Sequence, residues 1–260
     1  MTEERRVAII TGAAQGIGRQ TALTLAKLGY CLALNDLGSC VDVCRKAMSL
    51  GVAATEHRGD ISDEAFVARF AGEVLAQHAR VDVLVNNAGI SFIAPAESVS
   101  AGDFRRVLEV NLVAPFLLCK AFGKIMLQQR RGNIVNVASI AGLAAVADRS
   151  AYSASKHGLI GLTRTLAAEW GGHGVRVNAV CPGWVKTEMD IADQAGGNYT
   201  DQDIIERVPM ARFARPEDIA NAIAFLADEQ QSAFVNGLAL TVDGGWTMDA
   251  SWNSLRLQHR

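Results

Sequence analysis

Tyr152 and Lys156 stand four residues apart in a stretch with helical periodicity, so their side chains rise from one helix face, one turn apart. A phenol ionises near pH ~10 on its own, and an adjacent ammonium favours the phenolate. Such a pair can take a proton from an alcohol or return one to a ketone. Ser139 follows an apolar run that reads as a strand, and its hydroxyl can hold a substrate oxygen where strands of a parallel sheet end. Alone, a Tyr/Lys pair at this spacing is equally an ordinary pair on a helix surface.

A second constellation lies near the N-terminus. The first strand-like run enters Thr11-Gly12-Ala13-Ala14-Gln15-Gly16-Ile17-Gly18 and then a helical pattern. Three glycines let a dinucleotide approach closely, and the helix that starts there aims free N–H groups at a pyrophosphate. The spacing departs from the common G-x-G-x-x-G, and taken alone the glycines could also be a tight turn in any α/β protein. The second strand-like run ends at Asp36, where an acidic side chain can accept hydrogen bonds from ribose hydroxyls, or merely cap the turn before Gly38-Ser39. A carboxylate there repels a 2′-phosphate. With no basic residue between the glycines and none after Asp36 until Arg45, charge favours NAD over NADP.

These residues need a scaffold that brings strand ends together. Apolar runs at 7–11, 31–35, 52–56, 81–86, 133–138, 175–181 and 238–242 read as strands buried on both faces. Helical patterns at 17–28, 40–50, 63–78, 103–130, 151–171 and 216–228 alternate with them. The expected fold is therefore α/β, a Rossmann-like doubly wound parallel sheet of about seven strands in a single domain spanning 1–260. The stretch 184–214 breaks the rhythm around Gly196-Gly197-Asn198 and is a candidate substrate loop; 246–260, with Trp246, Trp252 and Arg256 to Arg260, is a longer tail than the fold needs.

The chain has 260 residues, half of them apolar, with 27 acidic against 25 basic side chains, so no overall field gathers nucleic acid or an anionic membrane. The expected partner is a small molecule. The apolar run near the N-terminus is too short for a signal or membrane segment, and Cys31, Cys40, Cys44, Cys119 and Cys181 are an odd number without a C-x-x-C pair, which suits a reduced, cytoplasmic protein. His57, His78, His157, His173 and His259 show no ligand spacing and read as solvated or helix-surface residues, with no metal expected. Arg130-Arg131-Gly132 reads as a helix C-terminus.

Taken together these motifs resemble the short-chain dehydrogenase/reductase family from Val7 to about Trp246: the glycine turn, Asp60 in GDISD, Asn86-Asn87-Ala88-Gly89, Asn111, Ser139, Tyr152-x-x-x-Lys156, and Pro182-Gly183 followed by Thr187, in that order. The resemblance implies a catalytic tetrad of Asn111, Ser139, Tyr152 and Lys156, with Asn111 supporting a water-mediated proton path to Lys156 and Lys156 binding the nicotinamide ribose. It implies that Gly12, Gln15, Gly16, Ile17, Gly18 and Asp36 hold the cofactor, that Asp60 and Ile61 meet the adenine, and that Asn87, Gly89, Pro182, Gly183, Val185 and Thr187 complete the cofactor site. Members that use NADP often carry a basic residue just before the second glycine; Gln15 stands there, in agreement with Asp36. The resemblance further implies a homotetramer built on helices equivalent to 103–130 and 151–171.

The expected activity is NAD-dependent interconversion of a secondary alcohol and a ketone, on a sugar, polyol or small hydroxy compound. NAD preference tilts it toward oxidation. A 3-oxoacyl reductase is the alternative within the class, and would want a basic docking patch, for which Arg105-Arg106 and Arg130-Arg131 are the paired candidates. A non-catalytic NAD-sensing protein is the alternative outside it, and its sign would be a broken tetrad. Arg149, one turn before Tyr152, either meets an anionic group or is a solvated residue ahead of the helix.

Overall fold

The computed structural model describes residues 5–195 and 199–251. Seven parallel strands alternate with helices: β1 (Val7–Thr11), α1 (Gly16–Lys27), β2 (Cys31–Asp36), α2 (Val41–Ser49), β3 (Ala54–Arg58), α3 (Glu64–His78) and β4 (Val83–Asn86) form the first half. The second half comprises α4 (Ala101–Leu108), α5 (Ala114–Gln129), β5 (Gly132–Val137), α6 (Ser150–Trp170), β6 (Val175–Pro182), α7 (Glu188–Gln194), α8 (Asp201–Arg207), α9 (Pro216–Ala227), α10 (Glu229–Ser232) and β7 (Ala239–Val242).

The strands lie in the order β3-β2-β1-β4-β5-β6-β7, so the chain winds outward from β1, returns, and winds the other way from β4. That reversal opens a crevice beyond the carboxyl ends of β1 and β4. Successive residues of β1 show why both faces are apolar: Ala8 and Ile10 enter one core with Leu25, Val43 and Ile223, while Ile9 enters the other with Phe70, Phe122 and Leu166. Trp252 and the basic end of the tail lie outside the described residues.

Three departures from the sequence reading have physical causes. The third strand runs 54–58 rather than 52–56, because Val52 packs into the core ahead of the ladder while Thr55, Glu56 and His57, on an edge strand, are only half-buried. The helix expected over 103–130 is interrupted by a π turn at Glu109–Val113, which contains Asn111. The helix before β5 ends with Arg130 itself in the left-handed conformation (φ 53°), not with glycine; Gly132 instead opens β5 pressed against Met126. His57 also departs from a solvated role: its ring lies 4.7 Å from that of Phe70, with Nδ1 2.9 Å from Glu73.

Ala101–Gln129, taken through the π turn, is long and apolar enough by composition to cross a bilayer. Ala114, Leu118, Phe122 and Met126 of that stretch nevertheless cover the sheet.

Candidate active site

A cavity of about 330 Å³ runs along the carboxyl ends of β1, β4, β5 and β6. Of the residues singled out in the sequence, Gly12, Gln15, Gly16, Ile17, Asp36, Asp60, Ile61, Asn87, Gly89, Ser139, Tyr152, Lys156, Pro182, Gly183, Val185 and Thr187 line it. Gly18 and Asn111 stand behind its wall. A Cβ on Gly18 would fall 2.0 Å from the Gly12 carbonyl oxygen, so its absence sets how closely α1 meets β1.

At one end α1 begins without a cap. Gln15 is extended, gives no side-chain hydrogen bond to the helix, and no acidic residue occupies the first turn. By contrast Asp63 caps α3 and Thr187 caps α7. An uncapped N-terminus facing a cavity offers free N–H donors and a positive dipole end, the arrangement a pyrophosphate fits. Asn87 braces the turn, its amide donating to the carbonyls of Thr11 (2.9 Å) and Gly12 (3.1 Å). The exposed carboxylate of Glu188 comes within 3.4 Å of where a Gly16 Cβ would stand and must swing aside for an anion.

Asp36 caps its turn and also faces the cavity. Its carboxylate accepts from the Gly38 N–H and from the Ala14 N–H, each at 2.9 Å, and also lines the cavity. Asp36 is not without a basic neighbour: β2–β3 pairing brings Arg58 alongside it, and the Arg58 Nε donates to the Leu37 carbonyl at 2.7 Å. Asp60 accepts from the Ser62 N–H (2.9 Å) and hydroxyl (2.7 Å) and pairs with Arg106 (3.2 Å). Burial alone would raise its pKa, but Ser62 and Arg106 hold the carboxyl below the usual range. Arg106 thus reaches the cavity at the Asp60 end, and Arg131 pairs with Glu229 at 2.7 Å.

At the inner end α6 presents Tyr152 and Lys156 toward the end of β5. The Lys156 Nζ donates to the Val137 carbonyl at 2.8 Å and lies 5.5 Å from the centre of the Tyr152 ring. Burial pushes this ammonium down to about 8. Burial pushes the Tyr152 phenol up, against the downward pull of the Ser139 hydroxyl and the Arg149 guanidinium, while Asp193 adds to the rise. Arg149 thus acts on the phenol as a second cation, beside the Lys156 to which the sequence pointed. Ser139 Oγ accepts the Ala141 N–H at 3.1 Å, which leaves its proton free to donate. Asn111 ties both polar groups of Ile90, accepting its N–H and donating to its carbonyl at 2.9 Å each, and donates to Ser155 at 3.2 Å. A Cβ on Gly89 would lie 3.1 Å from Asn111 Oδ1 and 3.7 Å from Lys156 Nζ, so the bare glycine keeps open the space between them.

The end of the cavity beside α7 holds Asp190 and Asp193, which the sequence did not single out, and Arg149, for which it left two readings open. Arg149 is buried, 7% exposed, and pairs with Asp193 of α7 at 2.8 Å. Ser91 accepts from Arg149 (2.9 Å) and donates to Asp193 (3.1 Å). The guanidinium lies 5.6 Å from the Trp184 ring centre and 3.5 Å from the Tyr199 hydroxyl. From the stretch 184–214, residues between Trp184 and Asp193 reach the cavity, and α7 carries Asp190 and Asp193 to its wall. Two acids three apart behind a capping threonine were the one available signal.

Residues 12–247 match the family described as Enoyl-(Acyl carrier protein) reductase. The chain is 42% identical over 246 residues to a D-threitol dehydrogenase of Mycolicibacterium smegmatis, covering 94% of this chain and 93% of that protein. It is 36% identical to a 3-oxoacyl-[acyl-carrier-protein] reductase of Synechocystis, covering 94% and 97%. A structure described as a putative NAD(P) dependent gluconate 5-dehydrogenase from Beutenbergia cavernae, with NADP bound at low occupancy, superposes with a TM-score of 0.89 at 42% identity, covering 94% and 97%.

Proposed function

Because the chain belongs to the short-chain dehydrogenase/reductase family, we propose that it is an NAD-dependent oxidoreductase that interconverts a small secondary alcohol, of the sugar, polyol or hydroxy-compound class, and its ketone. The observation that carries this reading is one cavity with an uncapped helix N-terminus at one end and Ser139, Tyr152 and Lys156 at the other. When bound, the nicotinamide supplies the hydride acceptor or donor.

The residues divide the remaining work. The N–H groups at Gly16, Ile17 and Gly18 hold the pyrophosphate, Asp36 the adenosine ribose, Asp60 and Ile61 the adenine, and Asn87, Gly89, Pro182, Gly183, Val185 and Thr187 the rest of the cofactor wall. Ser139 donates to the substrate oxygen. Tyr152 Oη takes the alcohol proton in oxidation and returns it in reduction. Lys156, fixed by Val137, turns its remaining N–H groups toward the nicotinamide ribose and the phenol. Asn111 anchors the backbone at Ile90, beside the gap through which water would link Lys156 to solvent.

NAD preference rests on the Asp36 carboxylate. Asp36→Ala lowers the NAD-to-NADP ratio of kcat/KM by about tenfold, since the repulsion of a 2′-phosphate goes and Arg58 stays. Steady-state kinetics with both cofactors check this; an unchanged ratio removes the ribose role. For a 3-oxoacyl reductase, both candidate basic patches are engaged in part, Arg106 with Asp60 and Arg131 with Glu229, which favours a small substrate.

The tetramer implied by the resemblance is supported by apolar side chains left outward, Val113 and Phe116 on the long helix and Phe234 before the last strand. Sedimentation equilibrium gives four chain masses on this account and one if those faces stay bare.

A further inference from the structure

Resting on the dehydrogenase reading, we propose that the Arg149–Asp193 pair is a charge-balanced latch that selects uncharged polyhydroxy substrates against their carboxylate counterparts, with Asp190 receiving substrate hydroxyls. Both members of the pair line the cavity, their side chains are 9% and 16% exposed, and the Ser91 hydroxyl bridges them. A carboxylate that pairs with Arg149 competes with Asp193, which already holds the guanidinium at 2.8 Å. Otherwise it meets the negative charges of Asp193 and Asp190 across a largely buried site, where like charges are least screened.

Asp190 supplies the attractive half of the selection. It is 7% exposed and lines the same cavity, and neither of its carboxylate oxygens accepts a hydrogen bond among the described residues. Lys186 Nζ stands 3.2 Å from one of them, itself drawn toward Asp201 and Gln194. A buried carboxylate whose one cation partner is shared with Asp201 has acceptor capacity left for hydroxyl groups, and a polyol offers several. The facing charged groups are Lys186, Asp193 and Asp201, so the locale is negative overall and does not invite a second anion.

The latch also touches the chemistry. Arg149 pulls the Tyr152 phenol down and Asp193 pushes it up, so Asp193 moderates the pull of Arg149 at the proton-transferring oxygen. Removing the negative member leaves Arg149 uncompensated. The phenol then ionises at lower pH, and a free guanidinium faces the substrate.

The test compares matched pairs that differ only in the terminal group, D-threitol with D-threonate and D-glucitol with D-gluconate. Wild type is expected to prefer the neutral member at least tenfold in kcat/KM. Asp193→Asn, which keeps the shape, is expected to move that ratio at least tenfold toward the acid and to shift the acid limb of the kcat/KM pH profile downward. A merely structural role would lower both substrates together and leave the limb in place. A wild type that prefers the acid, or an Asp193→Asn variant with ratio and limb unchanged, overturns the proposal. Should neither member of any pair turn over, the assignment of a polyol substrate fails by itself. Calorimetry on the NADH-saturated protein then decides selection separately: tighter binding of threitol than threonate sustains it, and equal or weaker binding overturns it.

Discussion

Tyr152→Phe is expected to bind NAD within about twofold of wild type and to lose turnover by about a thousandfold or more, the upper part of what a positioned acid/base contributes. The phenyl ring keeps the packing of a side chain enclosed by the site, so the fold and the dinucleotide half of the cavity stay as they are. What goes is the oxygen that exchanges a proton with the substrate. Because burial raises the phenol, the wild-type oxidation rate rises with pH across the neutral range as the phenolate is populated, and the residual rate of the variant lacks that limb. Fluorescence titration with NAD and a kcat/KM pH profile read both halves. Turnover at the parent rate would remove Tyr152 from the reaction.

Lys156→Met is expected to separate stability from activity. The ammonium is 4% exposed and its pKa falls from 10.5 in the unfolded chain to about 8 in the fold. With the folded pKa depressed, the unfolded chain binds more protons between those values, and stability rises with pH through that window. Below pH 8 the buried charge costs about 3 kcal/mol, and this is relieved as pH approaches 10.5. Methionine fills the same space uncharged but gives up the hydrogen bond to Val137, worth about 1 kcal/mol. The variant is therefore more stable than wild type by about 2 kcal/mol at pH 7, and the order reverses near pH 10 to 11. Denaturant melts at the two pH values measure this, and a gap independent of pH contradicts the buried-ammonium account. Turnover falls by about a hundredfold or more, since Lys156 positions both the ribose and the phenol.

The cofactor end was largely legible in the amino-acid sequence because its signals are local. Strands buried on both faces read as unbroken apolar runs, and the glycine turn is contiguous from Thr11 to Gly18. Asp36 and Ser139 lie at or just after strand ends, where spacing from a run locates them. The half-exposed edge strand β3 was displaced by two residues, because hydrophobicity marks what packs rather than where the ladder begins. The π turn at Asn111 has no signature in the apolar pattern, since one extra residue per turn barely disturbs it over five residues.

The substrate end was illegible for the opposite reason. Arg149 and Asp193 are 44 residues apart and meet only because α7 folds back over the carboxyl end of the sheet. Nothing near Arg149 in sequence distinguishes a buried paired guanidinium from a solvated one. Arg58 is hidden in the same way: 22 residues separate it from Asp36, and only the β2–β3 register brings them together. Proximity of this kind is set by topology, which spacing along the chain does not encode.

Alcohol oxidation by the wild-type protein is read from NADH appearance with a panel of neutral secondary alcohols that includes D-threitol, with NADP run in parallel. The account predicts turnover with NAD on a polyol or a related small hydroxy compound, at least tenfold better in kcat/KM than with NADP. Tight NAD binding without turnover of any alcohol, or of any ketone in the reverse direction, would contradict it and leave a dinucleotide-binding protein that performs no chemistry.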